Sequence, residues 1–408
     1  MRSFIGTLTA TLVTTLILAA LPVMGQRSSA GDERQRASRL MRAETFIRAQ
    51  NLAGAESEIA AILEGNSGDG EALNLLGIVR ARQLRADEAE ALFKQSIAAA
   101  PRSAGARINL GLLYTAKGQL EAAAVQFEEA LEIAPGNSET AAHLVTVLRG
   151  LAAAAIGSDP EKALSHLIRA KALVPSDPDV LFEFGMAALR LSLYEDARDS
   201  LNAALKKRPD DPLALYALAR ARMALGEVAE AEKLFRKYLA LRPEDASGHY
   251  GLGYTLAIQR RNAEASRAFE RSLELRPEQT ESQYQLGLLA SADGDFEQAA
   301  VRFEKVLARY ADHAGALLGM GVVQFNRKEY EMARVNLERA VALDPSVTKA
   351  HYQLGLTYAR LGDKARATQE LELAAKLERE EKDKKRMVLR LLGTESYPSP
   401  SGDGKPAP

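Results

Sequence analysis

A chain of 408 residues with 47% apolar and 26% charged side chains has the composition of a folded protein, which excludes wholesale disorder. Its 53 basic and 54 acidic side chains leave a formal charge of -1, so no cationic excess points to nucleic acid or to anionic lipid. Cysteine is absent, which removes disulfides, thiolate metal sites and thiol nucleophiles.

At the N-terminus, Phe4 to Gly25 carries no charge and is most apolar over Leu16 to Leu21. Arg2 precedes it, and Pro22-Val23-Met24-Gly25 offers the small or medium residues of a cleavage site. Residues 1–25 therefore read as a secretory signal peptide, which implies an exported protein, periplasmic or secreted. The alternative is an uncleaved membrane anchor, since 22 uncharged residues can span a bilayer. Residues 26–35 read as a linker.

Beyond the linker the sequence is periodic. Pro101 and Pro135 lie 34 residues apart, and Pro175, Pro209, Pro243 and Pro277 follow at the same interval, as does Pro345 two intervals further on. The one irregular step is 40, from Pro135 to Pro175. Twelve residues before each marker stands Ala89, Ala123, Ala163, Ala197, Ala231, Ala265, Ala299 or Ala333. Eight before it stands Phe93, Phe127, Leu167, Leu201, Phe235, Phe269, Phe303 or Leu337. Twenty-four before it the residue is Gly77, Gly111, Gly185, Ala219, Gly253, Gly287 or Gly321.

Each period contains two runs of helical periodicity. The first ends near Gly118, Gly226, Gly294 or Gly362 in several periods, as a left-handed C-terminal cap would require. The second ends ahead of the proline, which restricts its predecessor. Asp177-Pro178 and Asp211-Pro212 then restart a helix with a capping acid and proline in the first turn. Small residues at fixed points let the two helices approach, the recurring Leu and Phe fill the gap, and one hairpin cannot bury its apolar face alone, so the units must stack.

Leu-Gly in the first helix, Ala-x3-Phe in the second and a closing proline resemble the tetratricopeptide repeat. The resemblance implies an all-α fold, a right-handed superhelical solenoid of antiparallel helix pairs. It covers 36–381 as ten units: 36–69, which is degenerate, then 70–103, 104–137, 138–177, 178–211, 212–245, 246–279, 280–313, 314–347 and 348–381. The fourth carries six extra residues around Arg149 to Ile156, expected to lengthen its first helix by more than a turn. Residues 382–393 are expected to form a C-terminal capping helix with Met387, Val388, Leu389, Leu391 and Leu392 folded back, and 394–408, with four prolines, to be disordered.

No catalytic motif stands out: there is no phosphate loop, no metal-ligand spacing and no cofactor signature. The histidines are scattered, and His249 and His351, at one repeat position, are expected to serve packing. The family resemblance implies instead a concave wall made by the first helices, lined by the fifth and ninth residues of each unit. In units five to ten these include Phe182, Met186, Tyr216, Arg220, Tyr250, Tyr254, Tyr284, Leu288, Leu318 and Tyr352. Tyrosine offers apolar area and a hydroxyl, which suits an extended peptide or a helix. The expected function is non-enzymatic: a scaffold outside the cytoplasm that holds a protein or peptide partner in this groove. The alternative is a cell-envelope assembly or secretion factor acting through its convex face or ends. Membrane contact is expected only through an uncleaved N-terminal segment.

Overall fold

The 34-residue period becomes a regular alternation of helices in a computed structural model that describes residues 30–391. The expected signal peptide and the expected disordered tail lie outside the described residues. Among the described residues there are twenty helices and no strand. They are α1 (Ala30–Arg48), α2 (Leu52–Gly65), α3 (Gly70–Arg82), α4 (Ala86–Ala99), α5 (Ala104–Ala116), α6 (Leu120–Ile133) and α7 (Ser138–Ala155). There follow α8 (Pro160–Leu173), α9 (Pro178–Arg190), α10 (Tyr194–Lys207), α11 (Pro212–Ala224), α12 (Val228–Leu241), α13 (Ala246–Ile258) and α14 (Asn262–Leu275). The last are α15 (Thr280–Ala292), α16 (Phe296–Arg309), α17 (Ala314–Asn326), α18 (Tyr330–Leu343), α19 (Thr348–Leu361) and α20 (Lys364–Leu391). Twenty helices fit about ten antiparallel pairs. They divide between Leu225 and Gly226 into two compact units.

The first unit holds five hairpins, α1/α2 through α9/α10, followed by α11; each second helix packs on the first helix of the next hairpin. The second unit holds α12 and four hairpins, α13/α14 through α19/α20, stacked in the same way. The glycines of the first helices explain the close approach. A Cβ added at Gly77 would lie 2.5 Å from the Phe93 ring, and one at Gly287 would lie 2.7 Å from Phe303. The recurring Phe and Leu of the second helices are buried, as are the recurring alanines. Burying each large side chain contributes about 1.5–3 kcal/mol, so the repeated Phe or Leu supplies a contribution of that size to every hairpin.

Helix ends follow the side chains. Asp69, Ser103, Asn137, Asp177, Asp211, Asp245 and His313 cap first helices by accepting from backbone N–H groups. At the other end the chain turns through a left-handed residue. Glycine occupies it at Gly118, Gly226, Gly294 and Gly362, as expected, but Gln50, Leu84, Ser192, Arg260 and Lys328 adopt it too, at φ 58 to 65°.

The six extra residues lengthen α7 to 18 residues against 13 in α5. Leu151 and Ala152, in the added turn, are buried. The extension is tied to the next hairpin: Arg149 donates to both oxygens of Glu183 at 2.8 and 2.6 Å, and Arg190 donates to the Ile156 carbonyl at 2.9 Å.

The N-terminal end departs from expectation. Residues 30–35, expected as linker, are the first turns of α1, where Asp32 and Glu33 complement the helix dipole. Residues 382–391 continue α20 without a break, the last helix running on past the array. No glycine or proline interrupts that stretch, and Lys382 pairs with Glu378 at 2.7 Å one turn back. The expected folding-back of residues 387–392 concerns side chains outside the described ones.

Candidate functional site: the wall of first helices

A helix that packs on its partner with one face leaves another face free. In the second unit the first helices α13, α15, α17 and α19 lie side by side, each touching the next. Four helices at roughly 8–10 Å spacing give a wall about 30 Å wide. In the first unit α9 and α11 touch in the same manner.

On α13, Tyr250 is half-buried; its ring stacks on Tyr254 at 6.2 Å and leans on Phe269 at 5.8 Å. Tyr254, one turn on, is 40% exposed. A further turn brings Ile258, 48% exposed, so three large side chains climb one face of α13. On α15, Tyr284 is enclosed. Phe303 lies 6.1 Å and His313 5.0 Å from its ring, and a Cβ at Gly315 would fall 2.6 Å from its hydroxyl oxygen. Burial pushes the Tyr284 hydroxyl pKa above its ordinary value. Leu288 and Leu318 are half-buried beside the core, and Tyr352 on α19 is 49% exposed.

In the first unit, Phe182 and Tyr216 are half-buried and Met186 and Arg220 exposed. Leu213, one turn before Tyr216, is exposed on the same face. The corresponding residues of earlier hairpins, Asn74 and Ile108, are buried; the Asn74 side chain accepts from Asn109 at 3.0 Å.

The ten expected residues thus divide into two sets. Met186, Arg220, Tyr254 and Tyr352 offer surface, whereas Phe182, Tyr216, Tyr250, Tyr284, Leu288 and Leu318 are partly spent on packing. Two large apolar residues were missed. Leu213 occupies a place held by Asp179, Ser247 and Glu281 in other repeats, and Ile258 one held by Arg190, Ala224 and Arg360. The signal that could have found both is an apolar residue where the period places small or polar ones.

The two histidines at one repeat position bind the preceding loop. His249 Nε2 lies 2.9 Å from the Pro243 carbonyl, and His351 Nε2 lies 3.0 Å from that of Pro345. His351 Nδ1 adds a 2.6 Å contact with Glu370. Among the described residues no group of His, Asp and Glu is placed to hold a metal ion, and no helix is long and apolar enough to cross a membrane.

A stack of helical hairpins with an exposed wall of first helices defines the class: a repeat scaffold. The tetratricopeptide repeat matches residues 40–101, 74–138, 147–212, 182–246, 216–280 and 284–334, with further repeat matches at 324–362 and 348–381. The chain belongs to the tetratricopeptide repeat family, and it is a protein–protein interaction scaffold. No curated protein matches it. Among solved structures it is similar to MamA from Desulfovibrio magneticus RS-1, at 24% identity over 42% of this chain and 97% of that one, with a TM-score of 0.38. It is similar to YrrB, a repeat protein with an unusual peptide-binding site, at 23% identity over 45% and 95% and a TM-score of 0.38. PilW, a type IV pilus biogenesis factor, gives 19% identity over 47% and 90% and a TM-score of 0.44.

Proposed function

We propose that this scaffold works outside the cytoplasm and docks a protein segment on the wall of α13, α15, α17 and α19, with the α9/α11 face of the first unit as a separate contact. The observation that carries the reading is the exposure of Tyr254, Ile258 and Tyr352, large side chains that the repeat's own packing leaves uncovered. Aromatic rings with a polar edge bury area on binding at low entropic cost and still hydrogen-bond. Export rests on the uncharged stretch from Phe4 to Gly25.

The test replaces Tyr254 and Tyr352 with alanine and Ile258 with serine in one chain. Partner recovery from cross-linked cells falls while the thermal midpoint stays within a few degrees of the parent; unchanged recovery refutes the docking face. Mass spectrometry of the mature N-terminus checks export, where a start near residue 26 is expected and a retained Met1 in the cytoplasm contradicts it.

A second reading has its own observation. Val125, Val301 and Val335 share one repeat position on second helices and are exposed, as is Met332. Docking through that convex side is favoured if Val301→Ser and Val335→Ser abolish recovery and the tyrosine changes do not.

A further inference from the structure

We propose that the partner segment seated on the wall of the second unit is an α-helix of about twenty residues, apolar along its docked face and acidic at the end that lies over α19. The inference rests on the docking reading above and names the chemical class of the partner.

Most of the wall selects against charge. Helices α13, α15, α17 and α19 carry three charged side chains between them, Glu281, Lys349 and Arg360, whereas the second helices α14, α16 and α18 carry fourteen. A charged residue pressed onto α13, where Tyr254 and Ile258 stand exposed, would lose its water and find no counter-ion on that helix. That end of the wall takes an apolar face.

The opposite end is cationic. Lys349 and Arg360 are exposed and lie eleven residues apart on α19, which is about 16 Å along the helix. Tyr352 stands between them on the same helix face. Neither cation is paired with a carboxylate among the described residues. The one acid of the four helices, Glu281, is exposed on α15, two helices and about 20 Å away. Acidic residues over α19 therefore meet two free cations, while the reversed orientation sets them over α13, which has none.

Backbone chemistry decides the conformation. The fifth and ninth positions of the four repeats hold four tyrosines, three leucines and a valine. Their only polar atoms are phenol hydroxyls. An extended segment would press part of its own N–H and C=O groups onto rings and alkyl chains that cannot pair with them. A helix satisfies its backbone internally and presents side chains alone, and its ridges fit the furrows between neighbouring first helices. Crossing the wall, about 30 Å wide, from Ile258 and Tyr254 to Tyr352 takes about twenty helical residues.

The test selects, on the full chain, from a displayed library of helix-forming peptides of about twenty residues with the positions of one face and both ends randomised. The recovered peptides are expected to share an apolar stripe and acidic residues at one end. By fluorescence anisotropy, Lys349→Glu with Arg360→Glu is expected to weaken the binding of such a peptide roughly tenfold or more, and lysines in place of its terminal acids restore it. Tyr254→Ala with Ile258→Ser is expected to weaken it to a similar degree, and proline in the middle of the peptide to abolish binding. All four replaced side chains are exposed, so the thermal midpoint of each variant stays within a few degrees of the parent. Recovered peptides without an acidic end, charge reversal without effect, or tolerance of the central proline overturns the proposal. Peptides that need Tyr254 and Tyr352 but tolerate the proline or ignore the charge reversal leave the docking face standing and remove the acidic helix. Peptides indifferent to both tyrosines remove both readings. Recovery of no peptide removes the helix, and partner recovery from cells then decides the docking face.

Discussion

Leu84 turns through φ 63° with 80% of its surface exposed, at the place where Gly118 turns 34 residues later. A side chain there costs roughly 1–2 kcal/mol, and glycine returns part of that as chain entropy, so Leu84→Gly should stabilise the protein by about 0.5–1 kcal/mol in urea denaturation. A second residue-scale effect depends on pH. Hydrogen bonds from Lys117 and then Lys94 hold the Glu90 carboxyl down at about 2. A depressed carboxylate stabilises the fold above its ordinary range and loses that contribution as pH falls through that range toward 2. Carbon-detected titration should find the Glu90 midpoint near 2, and Lys117→Met should raise it toward the usual value. The left-handed turns were legible in sequence only where glycine marked them. At Gln50, Leu84, Ser192, Arg260 and Lys328 the stacked hairpin imposes the conformation against local preference.

At the scale of the element, the hairpin is fixed by size complementarity. Phe303 lies between two glycines: Gly287 of its own hairpin, and Gly319 on α17, where an added Cβ would stand 2.5 Å from the ring. Gly319→Ala overfills that contact and should destabilise by about 1–3 kcal/mol in thermal or urea unfolding. Tyr284 belongs to the same category. Enclosed by Phe303, His313 and Gly315, it should cost about 1–3 kcal/mol as Tyr284→Ala, whereas Tyr254→Ala should change stability by less than about 0.5 kcal/mol. The sequence period identified the glycine and aromatic positions because each recurs. It also anticipated the lengthened α7, since Gly157 and Asp159-Pro160 mark its end. It did not separate Tyr284 from Tyr254, because their difference is set by His313, which closes the same repeat, and Gly315 of the following one, positions whose residues the period does not fix.

At the scale of the molecule, two stacks of hairpins display one wall each, built from side chains that hairpin packing leaves uncovered. Fold class was readable because one 34-residue rule is written again and again along the chain. The face was readable only by register: the fifth and ninth positions point outward, but burial at each depends on the next hairpin. Leu213 and Ile258 extend the face at positions where the period ordinarily places small or polar residues. The most direct measurement of the docking claim places a photo-reactive amino acid in living cells at position 254 on the wall and, in separate chains, at positions 301 and 335 on second helices. Adducts of 254 that map to one continuous segment of another protein, with none from 301 or 335, are the expected result. Adducts from 301 and 335 alone would contradict it and move the function to the opposite face.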